Sequence, residues 1–289
     1  MEKKSMKGYI YLAPALIIIL IFTIYPLIRA FMLSFMEDYN LVNGSYKGIN
    51  LENYIDIFQD RHFIKALTNT GIYVVFVVPC SIALSLIIAV LLNSHIRFQG
   101  VFQTIFFLPY VTSTIAIGIV WGWIFNSDYG LLNQLLSWFG IKSIPWLTSK
   151  RYALPSLIIF SIWKSMAFDI LIFLAGLQTI SEDLYNAARV DSTPRWRVFW
   201  RITVPGIGPM ISYAFVMGMI NAFKVYNEVY ALFRGKNGPA GSANTVVFYI
   251  YDKFYNQSKY GEASAAAVIL FLIVLGLTII QRTLTGKKE

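Results

Sequence analysis

Six long apolar runs dominate the chain, and each is close to the roughly 20 residues that a helix needs to cross a bilayer. Hydrophobic residues make up 57% of the 289 residues and charged residues only 13%, well below the roughly 25% charged share of a soluble domain. Apolar and polar residues do not alternate as in the strands of a barrel, so the spans are predicted to be helices. The sequence therefore predicts an all-α, polytopic membrane protein with six transmembrane helices. The runs lie at about 9–33, 69–92, 103–125, 153–177, 207–232 and 262–281.

The positive charges predict the orientation of these spans. The first run follows Lys3, Lys4 and Lys7, but it is too long for the apolar part of a signal peptide and lacks a small-residue cleavage site. With the N-terminus inside, the two sides carry similar numbers of Lys and Arg. The inside segments are shorter, so their positive charge is denser near the span ends. We expect both termini in the cytoplasm, and we attribute the net charge of +9 to topology rather than to nucleic-acid binding.

Several isolated residues carry no predicted site. Cys80 is the only cysteine, so no intramolecular disulfide can form. His62 and His95 stand alone, without the spacing of metal ligands. Pro79 and Pro109 lie inside predicted spans, where we expect each to produce a simple kink. A metal site and a disulfide are therefore not expected.

A charged segment at about 179–208, called the charged insert below, separates the fourth and fifth apolar runs. Ser181 can cap a helix whose first turn holds two acidic residues, which are favoured at the positive end of the helix dipole. The helix is predicted to end at about Val190. Asp191 and Ser192 are then expected to form a turn.

A second short helix is predicted in the charged insert, with Thr193 as its cap and Pro194 at its first helical position. Trp196, Phe199 and Trp200 recur at helical spacing, which predicts one aromatic face. Such a face fits a groove on a partner protein. It also suits a helix that lies in the lipid headgroup layer, and the residues alone support the two interpretations equally.

The stretch from Tyr185 to Pro209 resembles the signature loop of the permeases of binding-protein-dependent ABC (ATP-binding-cassette) importers. Five positions match that pattern: Ala187, Ala188, Asp191, Ile202 and Pro205. Two depart from it, because Asn186 stands where the family has Glu and Ser192 where it has Gly. The resemblance implies that the charged insert couples the permease to its ATPase. The implied coupling residues are Asn186, Ala187, Ala188, Asp191, Ser192, Arg195 and Pro205.

Further motifs extend the resemblance over most of the chain. They are Phe106-Phe107-Leu108-Pro109, Gly130-Leu131-Leu132-Asn133, Leu174-Ala175-Gly176-Leu177-Gln178, Tyr226-Asn227-Glu228-Val229-Tyr230 and Tyr260-Gly261-Glu262-Ala263-Ser264-Ala265. In this order they resemble the carbohydrate-uptake branch, and within it the first permease of the maltose and glycerol-3-phosphate systems. The resemblance implies the type I importer permease fold.

The chain is accordingly divided into three parts. Residues 1–68 are predicted to form an N-terminal transmembrane helix and an extracytoplasmic loop, residues 69–281 the transmembrane domain, and residues 282–289 a cytoplasmic tail. Small residues four apart at the start of the last run, such as Gly261 and Ala265, allow another helix to approach closely. That helix can belong to this chain or to another subunit.

Ionisable residues inside spans mark a candidate substrate pathway, because each costs about 2.5–3.5 kcal/mol at the bilayer centre. The fifth run holds three polar residues at spacings of three and four, which predicts one helix face, with Tyr226 and Asn227 beside them. Hydrogen-bonding groups and aromatic faces of this kind suit a sugar. Alternatively, Lys224 and Glu228 only neutralise each other, and Lys164 only reaches a polar partner. The candidate pathway residues are Asn221, Lys224, Tyr226, Asn227, Glu228, Lys164 and Asp169.

The function expected from the resemblance is that of a non-catalytic subunit of a sugar importer in the cell membrane. The sequence has no phosphate-binding Gly-x-x-x-x-Gly-Lys-Ser/Thr loop, so ATP and Mg are expected on a partner ATP-binding dimer and no cofactor on this chain. A second homologous permease would complete a heterodimer, and a solute-binding protein would deliver the sugar. An α-galactoside or maltodextrin is the expected substrate, with glycerol phosphate as an alternative.

The sequence argues against two other classes of function. A gradient-driven secondary transporter would show inverted repeats and paired broken helices, and neither is evident in the sequence. A membrane-embedded enzyme would need a carboxylate pair, a metal cluster or a nucleophile beside a base, and none is evident near the spans.

Overall fold

A computed structural model describes residues 6–94 and 98–285 of the chain, with the side chains of 11–94, 98–281 and 283. Of the residues considered above, Lys3, Lys4 and His95 lie outside the described residues. So does the predicted tail from residue 286 onward.

Helices form most of the described chain, as predicted. They are α1 (Met6–Ile19), α2 (Tyr25–Leu33), α3 (Glu52–Gln59), α4 (Arg61–Asn93), α5 (Gln99–Val111), α6 (Thr114–Ile124), α7 (Leu131–Ser137), α8 (Ala153–Leu177), α9 (Glu182–Val190), α10 (Arg195–Val198), α11 (Val204–Gly206), α12 (Gly208–Phe223), α13 (Asn227–Leu232), α14 (Val246–Tyr251) and α15 (Tyr260–Thr285). Three π-helical segments lie at Leu20–Ile24, Phe199–Thr203 and Asp252–Asn256, and a 3₁₀ turn at Pro239–Gly241. One small antiparallel ladder pairs β1 (Met36–Glu37) with β2 (Gly48–Ile49).

Four described helical segments are long and apolar enough to cross a membrane: Tyr11–Leu33, α4, α8 and Tyr260–Gln281. Two further candidate spans are each a pair of bent helices, so that the described part of the chain holds between four and six. The angle is 105° between α5 and α6, and 68° between the segment Arg195–Gly206 and α12.

The prediction of a single helix is therefore wrong for the third apolar run. It is also wrong for the fifth, because α12 ends at Phe223 and α13 begins only at Asn227. In the third run, α5 continues through Pro109, and the chain bends two residues later because Thr112 is extended (φ −85°, ψ 145°). The predicted kink at Pro109 is thus a full break between two helices. Pro79, in contrast, lies inside the continuous helix α4.

The described chain divides into two compact units, and one of them consists of residues up to Ile64 together with Tyr249–Ile273. In this unit the buried amide of Asn53 donates hydrogen bonds of 3.0 Å to the carbonyl oxygens of Ser34 and Met36. A Cβ on Gly261 would lie 2.6 Å from that amide, so only glycine fits there. The small residues that open α15 are buried within this chain, which agrees with the first of the two alternatives for them.

The same unit contains a cluster of charged side chains centred on Lys253, called the Lys253 cluster below. The Lys253 ammonium, 6% exposed, lies 3.0 Å from Asp60 and 2.6 Å from Glu262. Glu262 also pairs with Lys259 at 2.5 Å, and the Tyr249 hydroxyl donates a 2.9 Å hydrogen bond to Asp60. Burying two carboxylates beside a lysine is tolerated because the charges are paired.

The electrostatics of the Lys253 cluster follow from this pairing. Burial by itself would raise the pKa of Asp60, but hydrogen bonds from the His62 backbone, Lys253 and Tyr249 together lower it. Burial would lower the pKa of Lys253, and the two carboxylates outweigh that effect and raise it. Burial, followed by the hydrogen bond to Asp60, raises the pKa of Tyr249. The cluster is thus held in its charged form.

The second unit consists of Lys65–Phe248 and the chain from Val274 onward. Its core is rich in aromatic rings, including Phe125 and Phe160, which are fully buried. Asn133 of α7 is a polar centre beside this core. Its amide oxygen accepts from the Ile144 backbone (3.1 Å) and from the Trp146 indole (3.0 Å), which fixes the loop between α7 and α8.

Candidate functional site

A polar cavity of about 380 Å³ lies in the second unit, and it is called the polar cavity below. Four parts of the chain contribute its walls: α4, the end of α5, the middle of α8, and the last turns of α12 together with the start of α13. Six of the seven residues predicted to form a substrate pathway line it. They are Lys164, Asp169, Asn221, Lys224, Asn227 and Glu228.

An ion pair connects two walls of the polar cavity. The Lys164 ammonium on α8 lies 2.6 Å from the Glu228 carboxylate on α13. It also donates a 2.6 Å hydrogen bond to the Thr114 hydroxyl at the start of α6. The pair is mostly removed from water, with 21% and 18% of the two side chains exposed. Lys164 thus has the polar partners that the alternative interpretation gave it, although it also lines the polar cavity, and Glu228 pairs with Lys164 rather than with Lys224.

The other side of the polar cavity combines a carboxylate with stacked rings. Asp169 is 6% exposed, and it lies near the Ser81 hydroxyl of α4, which also lines the polar cavity. The rings of Tyr110 and Phe168 stack with their centroids 5.3 Å apart and an angle of 21° between their planes. The two rings give the polar cavity an aromatic wall.

The polar residues of the fifth run were predicted to lie on one helix face. They do not, because the helix is broken there. Helix α12 ends at Phe223, and Tyr226 has φ −142° and ψ −53° before α13 begins. Between them Val225 is buried, and its carbonyl oxygen accepts a 2.9 Å hydrogen bond from the Thr245 hydroxyl. An unwound segment of this kind is tolerated at membrane depth where it lines a cavity.

The break changes how the predicted pathway residues are presented. Asn221, Lys224 and Asn227 are exposed and line the polar cavity from both sides of the break. Tyr226 lies apart from them, because its ring packs against the hydrophobic core, 5.7 Å from Tyr230 and 5.8 Å from Phe248 between centroids.

In the charged insert the first predicted helix is present, from Glu182 to Val190. The Ser181 hydroxyl accepts a 3.2 Å hydrogen bond from the Asp183 backbone, as expected of its cap. At the other end the Ser192 amide donates to the Arg189 carbonyl (3.1 Å) and the Thr193 amide to the Ala188 carbonyl (2.9 Å). This is a Schellman motif, and Ser192 has the left-handed φ of 51° that favours glycine.

The second helix of the charged insert differs from the prediction in two ways. It begins at Arg195, because Pro194 is still extended (ψ 145°), so the predicted start is one residue early. The aromatic residues also do not form one face. Trp196 and Trp200 are 64% and 62% exposed, whereas Phe199, where the helix widens to a π-helix, packs against the hydrophobic core.

The predicted coupling residues are presented to different surroundings. Ala188 is buried, with 7% of its surface exposed, and the Tyr185 hydroxyl nearby is 3.2 Å from the Thr203 hydroxyl. These contacts hold α9 against the rest of the second unit. The remaining predicted residues are exposed: Asn186, Ala187, Asp191, Ser192, Arg195 and Pro205.

With this geometry in place, a comparison with known proteins identifies the family. The model of the family described as the binding-protein-dependent transport system inner membrane component matches residues 81–287. The chain belongs to this family. It is thus a membrane-embedded permease subunit of an ABC transporter, in agreement with the resemblance inferred from the charged insert.

Curated relatives point to sugar transport. The lactose transport system permease protein LacF of Rhizobium radiobacter is 32% identical over 281 residues, with 96% of this chain and 93% of that protein covered. The trehalose/maltose transport system permease protein MalF of Thermococcus litoralis is 30% identical over 278 residues, with 96% and 93% covered. The chain is therefore a permease of the sugar ABC importer type.

Solved structures match the fold as well. A chain in the crystal structure of a bacterial ABC transporter that imports the acidic polysaccharide alginate superposes with a TM-score of 0.83 at 26% identity. The match covers 99% of this chain and 97% of that chain. The same fit, at 27% identity, holds for that transporter in complex with a periplasmic protein bound to an alginate pentasaccharide. The helical fold is thus that of the type I importer permeases.

Sequence reasoning missed several residues of the polar cavity. Ser81 lines the polar cavity, and Thr114 bonds the Lys164 ammonium beside it. Nothing in the spacing of these two hydroxyl residues connects them with the predicted pathway. Tyr110 carried a usable signal, because it directly follows the Phe106-Phe107-Leu108-Pro109 motif.

Proposed function

We propose that this chain is one of two homologous permease subunits of an ATP-driven oligosaccharide importer, and that the polar cavity is its half of the translocation pathway. The observation that carries the proposal is the convergence of six polar residues from two distant stretches of the sequence, 164–169 and 221–228, on one cavity. A pair of stacked rings beside amide and charged groups suits a sugar, whose ring has an apolar face and a polar edge.

The proposed substrate is an oligosaccharide of the α-galactoside or maltodextrin kind. The named substrates of the relatives, lactose and trehalose or maltose, support a carbohydrate of this size. The import of alginate by a structurally similar transporter supports oligosaccharides in particular.

In the proposed topology α5 with α6 forms the third span and α12 with α13 the fifth, so that six spans cross the membrane with both termini in the cytoplasm. The charged insert then lies in the cytoplasm, and the loop at about 34–68 lies outside. The proposal keeps the division of the chain into an N-terminal helix and loop (1–68), a transmembrane domain (69–281) and a cytoplasmic tail (282–289).

The partners of the proposed importer follow from this topology. An ATP-binding dimer docks on the exposed side of the charged insert, binds ATP and Mg, and hydrolyses ATP. This subunit itself is non-catalytic and holds no cofactor. A solute-binding protein delivers the sugar from outside, and the alginate transporter in complex with its periplasmic protein supports this arrangement.

The proposed mechanism is alternating access. Closure of the ATPase dimer pushes on the charged insert, and α10, α11 and α12 carry the motion toward the break at Lys224. The polar cavity then opens to the outside to receive the sugar. After hydrolysis it opens to the cytoplasm. Only a difference in how the ATPase binds the two states can drive this change.

The first test uses recovery of the ATPase with the tagged chain in mild detergent. Ala187→Trp places a bulky ring on the exposed side of α9, next to the buried Ala188, and should remove the ATPase from the recovered complex. Lys150→Trp adds the same ring at an exposed site outside the charged insert and should leave recovery unchanged. Normal recovery of the ATPase with Ala187→Trp would refute the coupling assignment.

A second measurement separates the proposal from a gradient-driven transporter. Membrane vesicles that contain the recovered complex should accumulate labelled oligosaccharide only with ATP, and collapse of the ion gradients should not abolish uptake. Uptake without ATP that is lost on collapse of the gradients would instead establish a secondary transporter.

A further inference from the structure

The charged insert divides into two halves of opposite charge. The first half, 181–193, holds more acidic than basic residues: Glu182, Asp183 and Asp191 against Arg189. The second half, 194–209, holds only basic ones: Arg195, Arg197 and Arg201. These three arginines are exposed, and among the described residues none has a carboxylate within ion-pairing distance. The two halves therefore suit partners of different charge.

The direction of the second half places it along the membrane surface. The segment Arg195–Gly206 is bent by 68° from α12, which begins two residues later at Gly208. In the proposed topology α12 crosses the bilayer, and transmembrane helices are tilted from the bilayer normal by about 20° on average. The segment Arg195–Gly206 therefore runs closer to the plane of the membrane than to its normal, at the cytoplasmic end of the span.

One side of this segment is held by the protein and another is free. Phe199 packs against the hydrophobic core and Thr203 is buried. Trp196 and Trp200 are four residues apart and mostly exposed, so they lie on one side of the helix. The Arg197 guanidinium lies 5.5 Å from the centroid of the Trp196 ring, and the Phe199 ring meets that of Trp200 edge-on at 5.1 Å. The free side thus presents two positioned indole rings beside arginines. It is called the basic face below and consists of Trp196, Arg197, Trp200 and Arg201.

This combination of side chains matches the chemistry of a lipid headgroup layer. Indole rings are favoured at the boundary between headgroups and acyl chains, and a guanidinium group forms paired hydrogen bonds with a phosphate. Arginines close to the end of a span are also attracted by anionic lipids. The acidic first half of the charged insert would be repelled by such a surface, which leaves α9 to the ATPase.

We propose that the basic face binds anionic phospholipids of the cytoplasmic leaflet. Arg197 and Arg201 contact the lipid phosphates, and the two indole rings lie at the level of the headgroups. This inference rests on the proposed function for its topology, in which the charged insert is cytoplasmic and α12 crosses the bilayer. The ATPase then docks on α9 and the turn that follows it, while the lipids hold the second half beside the span.

The test is photo-crosslinking of the tagged full-length chain, recovered with its partners and placed in lipid nanodiscs. Two probes are compared, a phosphatidylglycerol and a phosphatidylcholine that carry the same photoactivatable group next to the glycerol backbone. Mass spectrometry of peptides measures the labelled fraction of residues 195–201. The ratio of the two fractions reports the preference for the anionic headgroup, because general contact with lipid affects both probes alike.

We expect much stronger labelling by phosphatidylglycerol than by phosphatidylcholine. Arg197→Gln and Arg201→Gln should each lower the ratio about fivefold, and together about 25-fold, as estimated for a single arginine near an anionic surface. Lysine at both positions should retain most of the ratio, because the charge is kept. Arg151→Gln is the matched control: Arg151 is exposed and also stacks on a ring, 5.8 Å from that of Tyr152, but lies outside the charged insert. It should leave the ratio at 195–201 unchanged.

Three results would overturn the inference. Equal labelling of residues 195–201 by both probes would refute the preference for anionic lipids. Labelling of the spans without any at 195–201 would place the basic face away from the membrane. Loss of the ATPase from the recovered double variant would assign the basic face to the ATPase instead.

Failure of the proposed function gives a different result. In that case even the natural protein would recover no ATPase in mild detergent. The ratio of the two probes needs neither ATP nor transport, so it would still decide whether the basic face binds anionic lipid.

Discussion

The ion pair between Lys164 and Glu228 joins α8 to α13 across the polar cavity, and its removal should be costly and non-additive. Loss of one partner from a buried pair costs about 3–5 kcal/mol, because the other charge stays buried alone. Here about a fifth of each side chain is exposed, 21% and 18%, so water can solvate part of the remaining charge. We therefore expect about 2 kcal/mol for Lys164→Met or for Glu228→Gln.

The double variant tests whether the pair itself is the cause. With both partners removed, neither charge of the pair is left buried alone, so the cost should be about 1–2 kcal/mol rather than the sum of about 4 kcal/mol. The measurement is the free energy of unfolding of the purified chain in mixed micelles, followed by near-UV circular dichroism during titration with a denaturing detergent.

Lys224→Met provides the matched control, because it removes a cation from the same cavity that has no ionic partner among the described residues. Its cost should stay below about 1 kcal/mol. Single-variant costs that add to within about 0.5 kcal/mol in the double variant would mean that the two residues do not interact. The reasoning would then fail, whatever the effect on transport.

Three further predictions follow from local geometry. Ser192→Gly should stabilise the chain by about 0.5–1 kcal/mol, because Ser192 holds a left-handed conformation at a helix end. Unfolding in a denaturing detergent measures this free energy, and a lower stability would contradict the Schellman assignment. Gly118→Ala should cost about 1–3 kcal/mol, because its Cβ would lie 3.0 Å from a backbone carbon of α13, whereas Gly122→Ala, with nothing within 4 Å, should be tolerated. In the Lys253 cluster the lowered pKa of Asp60 gives stability that is present above the pKa of the unfolded chain and is lost as pH falls through the folded value. In Lys253→Met, burial should raise the pKa of Asp60 instead. The melting temperature of this variant should therefore rise as pH falls from 8 to about 4, while that of the natural protein does not. Parallel pH profiles of the two melting temperatures would refute the pairing.

The helical class and most of the spans could be predicted from the sequence, because the length of an apolar run is set by the bilayer and is independent of tertiary contacts. The breaks in the third and fifth runs could not. At Thr112 and at Lys224–Tyr226 the chain leaves the helix although the apolar run continues, and at the second break a freed carbonyl is satisfied by a distant residue. The hydroxyl of Thr245, for example, lies 20 residues beyond the carbonyl of Val225 that it bonds.

The sequence could predict which residues line the polar cavity, but not which of them contact one another. Ionisable residues inside apolar runs are conspicuous, and for that reason six of seven selected residues line the polar cavity. Which charges pair was not predictable, since Lys164 and Glu228 are 64 residues apart and the nearer Lys224 is the more obvious partner. Tyr226 was misjudged because an aromatic ring beside a polar stripe can equally well pack in the core.

Helix α12 connects the charged insert to the break at Lys224. This connection gives the break a role. Helix α12 has 16 residues, about 24 Å at the rise of an α-helix, and it follows α10 and α11 after a bend of 68°. Its first end is therefore joined to the exposed surface that carries Trp196, and its last end to the polar cavity. Because α12 is a rigid helix, both of its ends move together. If the helix continued through Tyr226, α13 would have to move with it, although its ion pair holds α13 to α8. In the proposed importer the unwound residues at the break thus let α12 move relative to the Lys164–Glu228 pair, so that the motion changes the distance between Lys224 and the opposite wall of the polar cavity.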